Sequence, residues 1–245
     1  MPRYRLTLEY DGRGFVGWQR QENGLGVQQA LEDAIERFTG ERLKVYGAGR
    51  TDSGVHALAQ VAHFDLQQET PTERIRDAIN AQVRPHPVSV LDATLVADDF
   101  NARTSARERA YLYRIVNRRA PVTFEHGLVW WVPVALDAAA MHEAAQTLIG
   151  RHDFSTFRAR ECQASSPTKT LDELTVETDG DEILFTVRAR SFLHHQVRNI
   201  VGTLKWVGDG KWSAADVKAA LEACDRRAGG PMAPADGLYL TGVTY

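Results

Sequence analysis

The spacing of hydrophobic positions changes repeatedly between two periods along the first part of the chain. Alternation of apolar and polar residues predicts a strand, and apolar residues three and four positions apart predict one face of a helix. The predicted strands cover residues 3–10, 43–48, 60–65 and 88–95, and the predicted helices cover 27–38 and 72–82. A capping box predicts the start of the second helix, with Thr70 as N-cap, Pro71 in the first helical position and Glu73 reaching back. The order of elements is therefore β-α-β-β-α-β.

The rest of the chain repeats this order. The predicted strands cover 107–117, 170–177, 183–190 and 238–245, and the predicted helices cover 137–148, 192–207 and 213–224, the last capped by Ser213. Asp179-Gly180-Asp181 is typical of a hairpin turn, and consecutive strands joined by a hairpin pair antiparallel. A doubly wound parallel sheet is the alternative for a chain of alternating helices and strands.

The repeated order predicts an α+β protein made of two ferredoxin-like halves, each a split β-α-β unit. The halves cover residues 1–103 and 104–245, and we expect them to share a mostly antiparallel sheet with a central cleft. No low-complexity linker separates them, so we expect them to pack as one body.

Composition narrows the class of protein. A chain of 245 residues with 43% hydrophobic content can form one large domain or two small ones. Its only cysteines, Cys162 and Cys224, are far apart, which argues against a disulfide framework or a cysteine zinc site. The N-terminus lacks an apolar leader, and no apolar stretch approaches the ~18 residues of a membrane span. We therefore expect a cytoplasmic protein that is not bound to a membrane.

Charge is distributed unevenly along the chain. The formal net charge of -3 argues against a uniformly basic nucleic-acid binder, but binding depends on local fields. Two basic clusters favour a phosphate-rich partner over a merely solvated surface. They contain Arg103, Arg107, Arg109, Arg114, Arg118 and Arg119, and then Arg188, Arg190, Arg198 and Lys205.

One glycine motif suggests that the protein binds a dinucleotide. Gly12, Gly14 and Gly17 follow the first strand with the G-x-G-x-x-G spacing of dinucleotide-binding proteins. In such proteins the third glycine lies in the first turn of a helix that binds the pyrophosphate. Here a polar, glycine-containing loop follows Gly17, and helical spacing resumes only at Val27. The context therefore argues against a nicotinamide or flavin site.

The loop at 48–57 has the composition of a reactive site. It holds Arg50 and Asp52 between Gly49 and Gly54, and glycines allow a ligand to approach the main chain closely. The same Thr-Asp-Ser-Gly run is also ordinary turn chemistry, in which an aspartate bonds to its own backbone. Because strands flank the loop on both sides, we favour a functional loop positioned by a rigid scaffold.

Two later elements carry further candidates. Arg109, Tyr111 and Tyr113 share one face of a predicted strand, where aromatics either pack in a core or form a platform for a nucleic-acid base. In the helix at 192–207, Arg198 lies beside the apolar stripe, where an arginine needs an anionic partner. His194 and His195 would diverge by about 100° on a helix, so we expect no metal site there.

Several motifs occur together in one order along the whole chain. They are the segments 9–12, 17–21, 49–57, 109–113, 192–199 and 237–240. Together they resemble the TruA family of tRNA pseudouridine synthases, and the Gly-Arg-Thr-Asp-Ser-Gly-Val-His-Ala block at 49–57 is the most specific of them. Ser53 stands where the family often has alanine, which is a small-for-small change.

The resemblance implies a cofactor-free isomerase that converts uridine to pseudouridine at positions 38, 39 and 40 of the tRNA anticodon stem-loop. It implies Asp52 as the nucleophile, Tyr111 as the residue that stacks on the base, and Arg198 as the partner of the aspartate. Arg50 can contact the RNA backbone or fill the space that a flipped base vacates. The resemblance also implies a homodimer, with no metal and no small-molecule cofactor.

The chemical route and the class of protein each have an alternative at this point. The carboxylate could attack C1′ or C6, or assist a glycal route. A non-catalytic RNA-binding protein with tandem ferredoxin-like units would also carry aromatics on its sheet, but it would need no Arg-Thr-Asp loop between glycines.

Overall fold

The computed structural model describes residues 1–245, which form two compact units. The first unit comprises Met1–Arg107 and Tyr239–Tyr245, and the second comprises Glu108–Leu238. The protein is α+β, with ten strands and five α-helices. None of the helices is long and apolar enough to cross a membrane.

The elements follow one another in chain order, with two short 3-10 helices at Ser155–Phe157 and Arg226–Ala228. The strands are β1 (Arg3–Tyr10), β2 (Tyr46–Gly47), β3 (His56–Asp65), β4 (Val88–Val96), β5 (Glu108–Val116), β6 (Trp130–Trp131), β7 (Gly150–Asp153), β8 (Thr168–Asp179), β9 (Glu182–Ala189) and β10 (Leu238–Thr244). The helices are α1 (Val27–Thr39), α2 (Thr72–Gln82), α3 (Ala138–Gln146), α4 (Gln196–Gly208) and α5 (Ala214–Glu222).

The sheet of the first unit is built around β1. This strand pairs antiparallel with β3 on one side and β4 on the other, and Leu6 faces Ala62 and Ala93 in the two registers. The short β2 pairs antiparallel with β3, and β10 pairs parallel with β3. Alternate residues of β1 are buried, as period-two spacing requires, and α1 and α2 contribute apolar faces to the core.

The second unit has its own antiparallel pairings, in the order β5-β9-β8-β7. Tyr111 and Tyr113 of β5 face Val187 and Phe185 of β9, and β6 pairs parallel with β5. Helix α4 is buried along most of its length, and α3 contacts β8, α4 and α5. Most pairings in both units are antiparallel, which rules out the doubly wound parallel alternative.

The structure confirms the hairpin signal and the cap of the last helix. Gly180 has a φ of +57° between β8 and β9, a left-handed conformation that glycine adopts at little cost. Ser213 caps α5, because its side chain accepts a hydrogen bond from the Asp216 backbone N–H and the Asp216 carboxylate bonds back to the Ser213 N–H.

Three local predictions are wrong. The strand expected at 43–48 shrinks to Tyr46–Gly47. Helix α2 begins at Thr72 with Pro71 as N-cap and without a side-chain cap, and the backbone of Thr70 bonds instead to the Tyr4 hydroxyl, which accepts from its N–H at 2.8 Å and donates to its carbonyl at 3.0 Å. Helix α4 begins at Gln196, since His195 has a left-handed φ of +62° that cannot continue a helix.

Candidate functional site

Asp52 opens a tight turn in the loop between β2 and β3. The Val55 N–H donates to the Asp52 carbonyl at 3.1 Å, and Gly54 has a φ of +80°. This turn bond uses the main chain of Asp52 and not its side chain. The turn-forming interpretation is therefore correct for the backbone of Asp52. The side chain of Asp52 is half-buried, and that of Arg50 is exposed.

Hydrogen bonds from three other segments fix the loop around Asp52. The Trp18 N–H donates to the Thr51 carbonyl at 3.0 Å, and the Thr51 hydroxyl lies 2.8 Å from that of Tyr10. On one side, the Gln60 amide donates to the Gly49 carbonyl at 2.9 Å. On the other side, the hydroxyl of Ser53 donates to the Phe15 carbonyl at 3.1 Å. The backbone before and after the carboxylate is thus held in place.

Gly12 and Gly17 allow the segment after β1 to lie directly against this loop. A Cβ at Gly12 would overlap the carbonyl of Val55, and one at Gly17 would lie 2.6 Å from the Thr51 carbonyl oxygen. Gly17 also has a φ of +110°, whereas a Cβ at Gly14 would meet nothing within 4 Å. The glycine motif therefore serves close backbone packing and is no dinucleotide fingerprint, and α1 starts only at Val27.

His56 ties the end of the loop to the same segment. Its ring stacks on Tyr239 with centroids 4.7 Å apart, and its Nδ1 accepts a hydrogen bond from the Gly12 N–H at 3.0 Å. An Asp11 carboxylate oxygen lies 3.2 Å from the same Nδ1. Partial burial works to raise the pKa of Asp11, but hydrogen bonds from Arg13 outweigh it and lower that pKa.

Sequence reasoning missed the supporting roles of Tyr10, Trp18, His56 and Gln60. The first three belong to the segments 9–12, 17–21 and 49–57 that carry the family resemblance. These motifs single out the residues but do not show that they contact the Asp52 loop. Burial raises the pKa of Tyr10 to about 12, against the opposing effect of its hydrogen bonds with Thr51 and Gln60. The Tyr10 hydroxyl therefore stays protonated at neutral pH.

In the second unit, Tyr111 lies on the inward face of β5. Its side chain is only 8% exposed, and its ring packs edge-on against Phe192 with centroids 5.1 Å apart. Tyr113, on the same face, is fully buried and donates to the Pro234 carbonyl at 2.9 Å. Burial raises the pKa of Tyr113 well above its usual value, while the charge of Arg198 works in the opposite direction. The core-packing interpretation is thus correct for Tyr113, and Tyr111 is also buried, although slightly less completely.

Arg198 lies in the first turn of α4 and is largely buried, as the apolar stripe of the helix predicts. Its Nε donates to the Ala233 carbonyl at 2.9 Å, and the Ala233 N–H donates to the Arg198 carbonyl at 3.0 Å. The segment around Ala233 therefore holds both the backbone and the guanidinium of this residue.

The two histidines before α4 differ from the prediction. They precede the helix instead of lying on it, and their ring centroids are 3.9 Å apart. The divergence of about 100° expected for helical neighbours is therefore wrong, because His195 has a left-handed backbone and neither histidine lies on the helix.

Several members of the basic clusters pair with carboxylates of their own unit. Arg114 forms ion pairs with Glu125 and Glu182, and its two bonds to Glu182 measure 2.6 and 2.9 Å. The other pairs are Arg118–Asp181, Arg188–Glu173 and Lys205–Asp209. The surface available to phosphates is accordingly smaller than the count of arginines suggests.

We expect Gly17→Ala to destabilise the protein more than Gly14→Ala. Both glycines have positive φ, which costs an alanine about 1–3 kcal/mol, but only Gly17 would also push a Cβ against the Thr51 carbonyl. Urea denaturation compares the two variants, with Gly14→Ala as the matched control. Equal losses in the free energy of unfolding would contradict the close packing assigned to Gly17.

Comparison with known proteins identifies the family. A family described as tRNA pseudouridine synthase matches residues 7–103 and 144–245. The tRNA pseudouridine synthase A of Rhodospirillum rubrum is 61% identical over 245 residues, which cover 100% of this chain and 88% of that protein. The proteins of the same name from Beijerinckia indica subsp. indica and Methylobacterium nodulans are each 62% identical over 100% of this chain, and cover 94% and 96% of those proteins.

Among solved structures, a Cbf5-Nop10-Gar1 complex gives a TM-score of 0.40 at 11% identity, over 97% of this chain and 48% of the other. That likeness is too distant to contribute to the assignment. The resemblance seen in the motifs is confirmed by the full-length relatives. This chain belongs to the tRNA pseudouridine synthase family, a family of isomerases.

Proposed function

We propose that this protein converts uridine to pseudouridine at positions 38, 39 and 40 of the tRNA anticodon stem-loop. The reaction breaks the bond between ribose C1′ and uracil N1 and forms a bond between C1′ and C5. The proton lost from C5 is balanced by one gained at N1, so no redox step takes place. The observation that carries the proposal is the Asp52 loop, which is held by hydrogen bonds from Tyr10 and Gln60 in a member of this family.

We assign Asp52 as the nucleophile. An aspartate that attacks carbon must be ionised, and a nearby arginine favours the charged form. We propose Arg198 as that partner, because a largely buried arginine needs an anionic partner.

We propose that Tyr111 and Arg50 bind the flipped nucleotide. A uridine stacked in a stem exposes neither C1′ nor C6, so it must leave the stack at a cost of a few kcal/mol. Stacking on an aromatic ring stabilises the flipped base by about 1–3 kcal/mol. We assign this contact to the ring of Tyr111, and the exposed Arg50 can reach the backbone or the vacated space.

For the architecture, we propose two ferredoxin-like halves, 1–103 and 104–245, that share a sheet and flank a central cleft. The strand order β4-β1-β3-β2 of the first unit supports a split β-α-β arrangement there. In this proposal the N-terminal half carries the aspartate loop, and the C-terminal half carries the tyrosine strand and the arginine helix.

We further propose that the enzyme acts on tRNA in the cytoplasm as a homodimer, without a metal or a small-molecule cofactor. The family assignment supports a tRNA substrate. An isomerisation with no net change in composition requires no redox partner. Size-exclusion chromatography with light scattering tests the dimer.

The decisive experiment incubates the purified protein with unmodified tRNA and maps pseudouridine by mass spectrometry. We expect pseudouridine at positions 38, 39 or 40 wherever a substrate tRNA has uridine there. A protein that retards the tRNA on a gel but leaves every uridine unchanged would be the non-catalytic RNA binder instead. Pseudouridine at other positions would contradict the assigned site specificity.

A further inference from the structure

Two buried polar side chains of the first unit contact residues just before Asp52, and the proposed mechanism does not use them. Tyr10 ends β1 and is 4% exposed, and its hydroxyl lies 2.8 Å from the Thr51 hydroxyl. Gln60 lies on β3, is fully buried, and donates to the Gly49 carbonyl at 2.9 Å. Both contacts end on residues of the loop that carries the aspartate.

Burial makes these groups costly unless they are partnered. An unsatisfied buried hydroxyl or amide costs about 1–3 kcal/mol, whereas an apolar side chain in its place carries no such penalty. Leu6 and Leu8 occupy inward positions of the same strand and are apolar. Packing alone therefore does not require a polar group at Tyr10. Its hydroxyl contacts the Thr51 hydroxyl, so we look for its role in the loop that carries Asp52.

Thr51 receives contacts on both its side chain and its main chain. Its hydroxyl meets Tyr10, and its carbonyl accepts the Trp18 N–H at 3.0 Å. With only 6% of Thr51 exposed, its orientation is determined from two directions. The residue that follows is Asp52, so the direction in which the carboxylate leaves the backbone depends on how Thr51 is held.

We propose that Tyr10 is a positioning residue for Asp52, acting through the Thr51 hydroxyl, with Gln60 fixing the loop at Gly49 as a second anchor. This inference rests on the proposed function. A reacting group displaced by 1 Å can lose about 10²-fold in rate, so a loop loosened at Thr51 would slow the chemical step while leaving RNA binding intact.

The test compares the single-turnover rate of pseudouridine formation with the dissociation constant for tRNA. We expect Tyr10→Phe and Thr51→Val to lower the rate about 10- to 100-fold and to change the dissociation constant less than about 2-fold. Thr51→Ser keeps the hydroxyl and should recover most of the rate lost in Thr51→Val.

Tyr4→Phe is the matched control. Tyr4 lies on the same face of β1, is fully buried, and makes two hydrogen bonds to Thr70 instead of to the loop. We expect Tyr4→Phe to lower the midpoint of thermal unfolding at least as much as Tyr10→Phe, while keeping the wild-type rate within about 2-fold.

The proposal is overturned if Tyr10→Phe and Thr51→Val both keep the wild-type rate, or if Tyr4→Phe slows the reaction equally. If Tyr10→Phe fails to fold, the single-turnover rates of Thr51→Val and Thr51→Ser test the proposal, and equal rates would overturn it. A wild-type protein that forms no pseudouridine would instead refute the proposed function, so the two failures are distinguishable.

Discussion

Asp52→Asn is expected to abolish pseudouridine formation while tRNA binding stays within a few-fold of the wild type. Asparagine has nearly the same shape but carries no negative charge and is a poor nucleophile toward carbon. The loss should reach at least about 10⁴-fold, which is the order found when a nucleophile or its activating partner is deleted. Single-turnover assays and a filter-binding titration measure the two quantities.

Asp65→Asn is the matched control for this substitution. Asp65 lies on β3 of the same unit, and its carboxylate bonds to Arg3 at 2.7 and 2.8 Å, away from the Asp52 loop. That ion pair lowers the pKa of Asp65, so the control loses some stability at neutral pH. Its turnover should remain near that of the wild type. Normal turnover by Asp52→Asn would remove this residue from the mechanism.

Tyr111→Ala is expected to lower turnover on tRNA by about 5- to 150-fold, from the loss of stacking worth about 1–3 kcal/mol. It should also destabilise the protein by about 3–5 kcal/mol, because the ring is mostly buried against Phe192. The two effects are separated by measuring turnover well below the unfolding midpoint of the variant.

The neighbouring Tyr113→Ala separates stacking from core packing. Tyr113 shares the face of β5 but is fully buried, so its loss should cost at least as much stability. At a temperature where both variants are folded, only Tyr111→Ala should be slow. Equal turnover by the two variants would show that Tyr111 acts only in the core.

Much of the fold could be predicted from spacing alone. Strand β1 and helix α2 have the predicted bounds, because a long segment with one buried face repeats its period several times. Strands β6 and β7 were missed, since the two residues of β6 and the four of β7 contain too little of a period to recognise. Their pairing depends on a neighbouring strand and not on their own sequence.

Candidate residues of the site were predictable to different degrees. Asp52 stands out because the glycines and the arginine around it form one local motif. The supporting residues of its loop come from two other strands and from the segment after β1, and no local pattern shows that Tyr10 or Gln60 would meet it. The start of α4 could not be predicted either, because the left-handed backbone of His195 leaves the apolar stripe unchanged.

By itself, the sequence determined most of the longer strands and helices, that the chain is α+β, and which loop holds the aspartate. These features depend on local periodicity, on turn residues and on contiguous motifs. Only the tertiary structure decided that Gly12 and Gly17 allow backbone contact with the aspartate loop, that Arg114 meets carboxylates, and where Tyr111 is buried. The reason is physical: hydrogen bonds and ion pairs between distant residues depend on distances that exist only once the strands have paired.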